Sequence, residues 1–396
     1  MPRPTGAGST PPCTRTEASV SDASTVRDDL VARLLDHLSW VCVTGDEDPI
    51  ATAVTTRYAE LGLPVTRVAN SVVVDGRVPG RGRPLVLLVG HLDVVPPTDD
   101  DLRPRLEDRA DGEVVVGRGA SDMKAGNVAA MAAFEDAALR DASPYDLALV
   151  LYGGEEGGAD DNELLEVLET VPWLTDAALA IVLEPTDGEV QLGCLGGLQA
   201  EVTFVGQQAH SARPWHGRNA LTMAGSFLAE LDVDHLRDVT VDGIAFRDAW
   251  SATMAWSDGL APGTRTATPF RNVVPGRFTV NLNFRFAPSR GLDEAEAELR
   301  ARVGDRAEVV VVDRAPPAPP KLTDATVRAF IDAVGAPVAA KQAWTDVARF
   351  AEVGVPALNF GPGLTAQAHQ RGEFVPVDAL VAGHQQLVRF LRGGAA

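Results

Sequence analysis

At 396 residues, with 45% hydrophobic and 23% charged side chains, the chain is long enough for two hydrophobic cores. No run approaches the roughly 18 consecutive apolar residues that a membrane span requires, which excludes a membrane partner. A formal net charge of -20 with no offsetting Lys/Arg cluster excludes nucleic acid.

The first 24 residues are rich in Pro, Ser, Thr and Gly and lack the apolar centre of a secretory signal. They read as a disordered tail. Cys13, Cys42 and Cys194 are odd in number and lack metal-ligand spacing, so neither a disulfide framework nor a zinc-cysteine site is expected, and a reducing cytoplasm fits. Lysine occurs only at 124, 321 and 341, a scarcity that reads as compositional bias.

The first ordered element is expected from Thr25 to Val41, where Leu30, Leu34, Leu35 and Leu38 fall on one helical face. Pro84 to Gly90, Leu147 to Tyr152 and Ala177 to Leu183 are continuous apolar runs of the kind that form strands buried on both faces. Between the first two lies an Ala-rich helical pattern, Lys124 to Arg140. Strands alternating with helices predict an α/β fold with a mixed, largely parallel sheet, whose sites form at the carboxyl ends of strands.

From about Gly197 the pattern changes. A strand at Gln199 to Val205, a helix at Asn219 to Leu231, strands at Ala252 to Trp256 and Arg277 to Phe286, a helix at Leu292 to Val303 and a strand at Ala307 to Val312 give the order β-α-β-β-α-β. That order predicts an inserted ferredoxin-like α+β domain over 197–315, with the Pro-rich run Ala315 to Pro320 as the way out. The α/β pattern resumes with a strand at Val355 to Phe360 and a helix at Val377 to Leu391. The first domain is therefore discontinuous, 25–196 and 316–396.

Chemistry-bearing residues collect where those strands end. Gly90-His91-Leu92-Asp93 puts His91 and Asp93 on one side of an extended chain, so the imidazole can ligate a metal while the Asp93 carboxylate accepts its second ring N–H. Asp122 follows a Gly-rich turn ahead of a helix, where capping alone would not require Gly117, Gly119 and Gly126. The pair Glu155-Glu156 stands between Gly153-Gly154 and Gly157-Gly158, and two adjacent carboxylates at a buried strand end repel unless a cation intervenes. Glu184 precedes Pro185, and His369 follows Gly361-Pro362-Gly363. Each alone has a plain structural explanation as a strand terminator, an N-cap or a solvated turn acid. Together they form a mixed N/O ligand set suited to Zn²⁺, with Co²⁺ or Mn²⁺ as substitutes, and five ligands are enough for a pair of ions.

The order His-x-Asp, Asp-Met-Lys turn, Glu-Glu, Glu-Pro and final His resembles the co-catalytic zinc family of aminoacylases, carboxypeptidases and deacylases. Ala209 to Pro214, Arg271 to Pro275, Asn281 to Phe286 and Trp344 to Phe350 extend the likeness, which covers about Asp28 to Arg392. The resemblance implies that His91 and Glu184 hold one zinc, that Glu156 and His369 hold the other, and that Asp122 bridges them ahead of a cis peptide. It implies that Glu155 is the general base, passing a proton from water to the leaving amine, with Asp93 as its catalytic companion. It makes the inserted segment a dimerisation and lid domain, hence a homodimer in which His210 reaches the partner's site. The substrate is then a small acylated amino acid, and His210, Asn272, Arg285, Thr345 and Arg349 are its contacts.

Two departures stand out: Lys124-Ala125-Gly126 where Lys-Gly-Gly is commoner, and Cys194 where some members carry Arg. The second shifts the grip on the substrate's distal carboxylate to Arg285 and Arg349. From the residues alone, His210 and His216 are ordinary loop residues, Arg285 a solvated strand residue and Asn272 a strand cap. His37, His235 and His384 lie in helical or acidic surface contexts with no chemical role. Another deacylase or a peptidase of the same family, or an idle metal-binding dimeric scaffold, are the competing readings.

Overall fold

The computed structural model describes residues 20–158, 160–258 and 271–394. The expected tail therefore lies almost wholly outside the described residues. Its last five positions do not, because the first helix begins at Val20 and runs to Ser39.

The discontinuous half, which the resemblance makes the catalytic one, is built on an eight-stranded mixed sheet. At its centre Leu85–His91 pairs in parallel with Asp146–Tyr152 on one side and Leu179–Val182 on the other, and Ala357–Asn359 adds in parallel beyond. Every residue of these strands is buried, as continuous apolar runs require when helices cover both faces. The parallel direction brings His91, the Glu155-Glu156 turn and Glu184 to one edge of the sheet. Two antiparallel strands, Val65–Val68 and Ser71–Asp75, extend it outward.

The Ala-rich helix is broken in two, Ala125–Glu135 and Ala137–Ala142, because Asp136 leaves the helical region (ψ 98°) and its side chain accepts the Leu139 N–H to cap a new helix. Asp122 is not at the end of a core strand. It follows a strand, Gly112–Val116, that belongs to a separate three-stranded sheet with Arg105–Arg109 and Phe374–Pro376. The last helix, Val377–Leu391, begins and ends where its pattern predicts.

The inserted segment forms a five-stranded antiparallel sheet, not the four-stranded one expected. The added strand is Leu236–Val241, which forms a hairpin with Ile244–Ser257, a longer version of the expected Ala252 to Trp256 strand, turned by Asp242 and Gly243 at φ 50° and 83°. Positive φ at both central residues gives the turn twist that matches paired strands. Helices Ala220–Val233 and Leu292–Val303 pack on one face, and Leu198, Phe204, Phe227, Leu282, Phe284 and Leu299 form a core separate from that of the catalytic half. The hairpin joins the two halves: Ile244 and Phe246 are buried in the catalytic core. Gln342 binds its backbone from below, accepting Arg247 N–H at 3.0 Å and donating to Ala245 O at 3.0 Å.

Behind the site, Lys124 is fully buried, and its Nζ donates to the His37 carbonyl at 3.3 Å and also to that of Trp40. His37 is thus a buried residue rather than a surface one. Burial, with the charges of Lys124 and Arg57, drives its imidazole down to about 3. Its folded value lies below the unfolded one, so folding excludes a proton. The resulting stability is complete above about pH 6.5 and falls as pH drops toward about 3, by roughly 1.4 kcal/mol per unit. His37→Leu is expected to have a shallower acid limb than the parent chain in urea unfolding measured across that window; parallel limbs would remove His37 from the account.

Candidate active site

A cavity of about 810 Å³ opens over the strand ends, lined by Asp122, Glu155, Glu156, Glu184 and His369. His91 Nε2 lies 3.3 Å from Asp122 Oδ1, while His369 Nε2 lies 2.8 Å from Glu156 Oε2 and 3.6 Å from Asp122 Oδ2. Two clusters result, His91 with Asp122 and Glu184, and His369 with Asp122 and Glu156, each with ligand atoms within 4.8 Å of one another. Asp122 belongs to both. Glu155 also falls within such a group, with His91 and Glu156.

The electrostatics fit divalent cations. Five carboxylates line the cavity, Asp122, Glu155, Glu156, Glu184 and Glu189, and the one lysine or arginine among its described lining residues is Lys341, with Nζ 4.0 Å from Glu184 Oε2. Burial and the neighbouring Asp122 charge push Glu184 up to about 7. Burial likewise raises Glu155 well above the usual carboxylate range, and Glu184 and Asp346 add to the effect. His91 is held well above its usual value: burial opposes its protonation, but the hydrogen bond to Asp122 and the surrounding carboxylates prevail. Groups that hold protons this firmly beside one another are groups a cation would occupy in place of those protons.

The local structure explains how each side chain arrives. Gly154 sits at φ 79°, and a Cβ there would strike the Asp161 carbonyl, so only glycine can turn the chain into Glu155 and Glu156. The Asp93 carboxylate does not hold the second ring nitrogen of His91 as expected. His91 Nδ1 is bound at 3.0 Å by the Asp93 backbone carbonyl, and the carboxylate oxygen stands at 3.6 Å. The carboxylate is used elsewhere: it accepts the backbone N–H groups of Glu155 (3.1 Å) and Glu156 (3.0 Å) and the Thr44 hydroxyl (2.8 Å). One residue therefore orients the His91 imidazole with its main chain and the Glu-Glu turn with its side chain.

Asp122 is followed by a cis peptide bond to Met123, the feature the resemblance implies. Glu373, which the sequence reading passed over, holds the turn. Its buried carboxylate accepts N–H groups of Ser121 (2.8 Å), Asp122 (2.9 Å) and Gly119 (3.0 Å), and Arg118 Nη1 at 2.9 Å. Arg118 also reaches Asp101 at 3.1 Å, whose carboxylate accepts Gly372 N–H at 2.9 Å. The turn bearing Asp122 and the segment bearing His369 are thereby tied together. Glu373→Ala leaves Arg118 with Asp101 alone and strands the buried N–H groups of Gly119, Ser121 and Asp122, and we expect a loss of about 3–5 kcal/mol in urea unfolding. A loss below about 1 kcal/mol would show that the turn holds itself.

The expected substrate contacts divide. Thr345 lines the cavity with its hydroxyl bonded to Asn359 Oδ1 at 2.9 Å. Arg285 and Arg349 line a second cavity of about 690 Å³ that also reaches Glu155. Arg349 is buried and bonded to Asp346 at 2.8 Å, and Asp346 in turn accepts the Tyr152 hydroxyl at 2.6 Å. His210 and Asn272 lie elsewhere, exposed on the lid where Ser211 N–H donates to the Asn272 carbonyl. Neither lines the two cavities.

Residues 87–393 match the model of Peptidase family M20/M25/M40. The chain belongs to that family. It is accordingly a hydrolase of amide bonds. A Corynebacterium glutamicum protein named succinyl-diaminopimelate desuccinylase is 35% identical over 359 residues, covering 89% of this chain and 92% of that one. A Mycobacterium tuberculosis protein carrying the same name provisionally is 37% identical over 335 residues, 84% of this chain and 88% of its own. Among solved structures, the aminopeptidase PepT of Bacillus cereus superposes with a TM-score of 0.72 at 17% identity, over 93% of this chain and 99% of that one. At that identity the likeness speaks for the fold, a catalytic domain with an inserted domain. The described residues include no helix long and apolar enough to cross a membrane.

Proposed function

We propose that the protein removes succinate from N-succinyl-LL-2,6-diaminopimelate, using two zinc ions, in diaminopimelate and lysine biosynthesis in the cytoplasm. The observation that carries this reading is the base-and-ligand cluster opening onto the arginine-lined cavity at Glu155, in a chain whose relatives carry the desuccinylase name over most of their length. His91, Glu184 and Asp122 would hold one ion, and Asp122, Glu156 and His369 the other, with Co²⁺ or Mn²⁺ as possible replacements. The ions supply Lewis acidity toward the amide carbonyl and toward water.

The chain's own groups carry the rest. Glu155, raised in basicity by burial, takes a proton from water as the water oxygen attacks the succinyl carbonyl carbon. On collapse the C–N bond breaks and Glu155 delivers that proton to the leaving amine. Asp93 holds the Glu155 and Glu156 amides and so fixes where the base points. Arg285, which has no ion-pair partner among the described residues, and Arg349 supply charge for the free carboxylate of the succinyl group.

His210 and Asn272, exposed on the lid beside Trp215 and Val273, act in a homodimer, where a second chain brings them to the site. Another deacylase activity of the family differs from this reading only in what the two cavities accept. The test is amine release from N-succinyl-diaminopimelate by zinc-loaded protein, beside N-acetylornithine and a dipeptide. Chelator is expected to abolish a turnover that favours the succinyl substrate. Preference for another amide overturns the substrate assignment, and silence on all three with two ions bound favours an idle scaffold.

A further inference from the structure

The cavity over the metal-facing residues extends away from them along the sheet edge, and its far wall carries charge that the hydrolytic reaction does not use. Two parallel strands form that wall, Val190–Leu192 and Val338–Ala340, with Gln191 opposite Ala339. Side chains alternate along a strand and paired residues share a face, so Glu189, Gln191, Ala339 and Lys341 all project to the same side. All four line the cavity.

Lys341 is only 6% exposed, and among the described residues the one hydrogen bond of its ammonium runs to the Pro185 carbonyl at 3.0 Å. Its nearest carboxylate, Glu184 at 4.0 Å, faces the proposed ions. A buried ammonium with donors left over is poised for an anion. Beside it, Glu189 Oε2 and the 7%-exposed Gln191 meet at 3.4 Å, and Gln191 Oε1 has no partner. Acceptors and a cation thus stand together in the cavity that adjoins the arginine cavity at Glu155, Gln342, Ala343 and Trp344.

We propose that Glu189, Gln191 and Lys341 form a subsite for the distal α-amino-acid head of the leaving amine, Glu189 and Gln191 taking the ammonium and Lys341 the carboxylate. The proposal rests on the desuccinylase reading and deepens it, since it orients the substrate. The acyl carboxylate enters the arginine cavity, and the amine runs along the sheet edge.

The N-(3-carboxypropyl) derivatives of three amines isolate the head, because a CH2 in place of the amide carbonyl leaves nothing to cleave, the substituted α-amine fixes which end is distal, and the three differ only there. The LL-2,6-diaminopimelate derivative has both distal groups, that of 2-aminopimelate lacks the distal ammonium and that of lysine lacks the distal carboxylate. Calorimetric binding to zinc-loaded protein is expected to favour the diaminopimelate derivative over each of the other two by about tenfold or more, the worth of one charge-assisted hydrogen bond. Glu189→Gln is expected to erase the advantage over 2-aminopimelate and keep that over lysine. Lys341→Met is expected to do the reverse, and because the readout is a ratio, any shared effect through Pro185 cancels. Equal binding of the three by the parent protein, or a uniform loss in both variants, would overturn the subsite. A binding ladder as described without turnover of the succinyl substrate would sink the desuccinylase reading and leave the subsite standing. A flat ladder in a protein that does cleave it would do the opposite.

Discussion

Glu155→Gln is expected to bind its full complement of metal and to lose at least about a thousandfold in turnover. The substitution keeps the shape of the side chain and leaves the Asp93 contacts with the Glu155 and Glu156 amides in place, because those are made by the main chain. What disappears is the ability to take and return a proton, a contribution of about 10²–10⁴ in well-placed acid–base catalysis. Metal content by atomic absorption and turnover of N-succinyl-diaminopimelate, read on the same samples, check this. Glu155 also lies close enough to His91 and Glu156 to serve as a ligand. Loss of an ion in Glu155→Gln would mean that it does, and would end its assignment as the base.

A contrasting pair tests the shared ligand. Asp122→Ala is expected to abolish binding of both ions, whereas His369→Ala removes one ligand from one cluster and weakens a single ion. The difference follows from membership: Asp122 Oδ1 faces His91 and Oδ2 faces His369, so one carboxylate serves both sides. His369 is 54% exposed and can be lost without unpacking its surroundings, while Asp122 is buried in a turn fixed by Glu373. Titration with a chromophoric chelator reads the stoichiometry. Equal losses in the two variants would argue against a bridging role.

The convergence of His91, Asp122, Glu155, Glu156 and Glu184 is legible because each closes a distinctive local pattern: buried apolar runs ending in His91, Glu155-Glu156 and Glu184, and a glycine-rich turn around Asp122. For Asp93 the side chain and main chain exchange the tasks expected of them, and spacing along a strand cannot reveal which of two acceptors a ring nitrogen meets. Glu373 escaped notice because its partners, Gly119 to Asp122, lie about 250 positions earlier. Of the three lysines, Lys124 and Lys341 are buried and Lys321 is exposed, which composition alone does not distinguish. The lid hairpin was legible too, since Asp242-Gly243 between β-branched runs is a strong turn signal that the four-strand reading omits.

The tie between Glu373 and the Asp122 turn has a consequence for how the protein is made. His91 and Asp122 emerge from the ribosome early, yet their turn receives its clamp only when a segment near the chain's end folds back onto it. Until then the lid domain can assemble around its own separate core. A transcript truncated between His369 and Glu373 would therefore yield a protein that keeps every candidate ligand and lacks the clamp, whatever metal the cell provides.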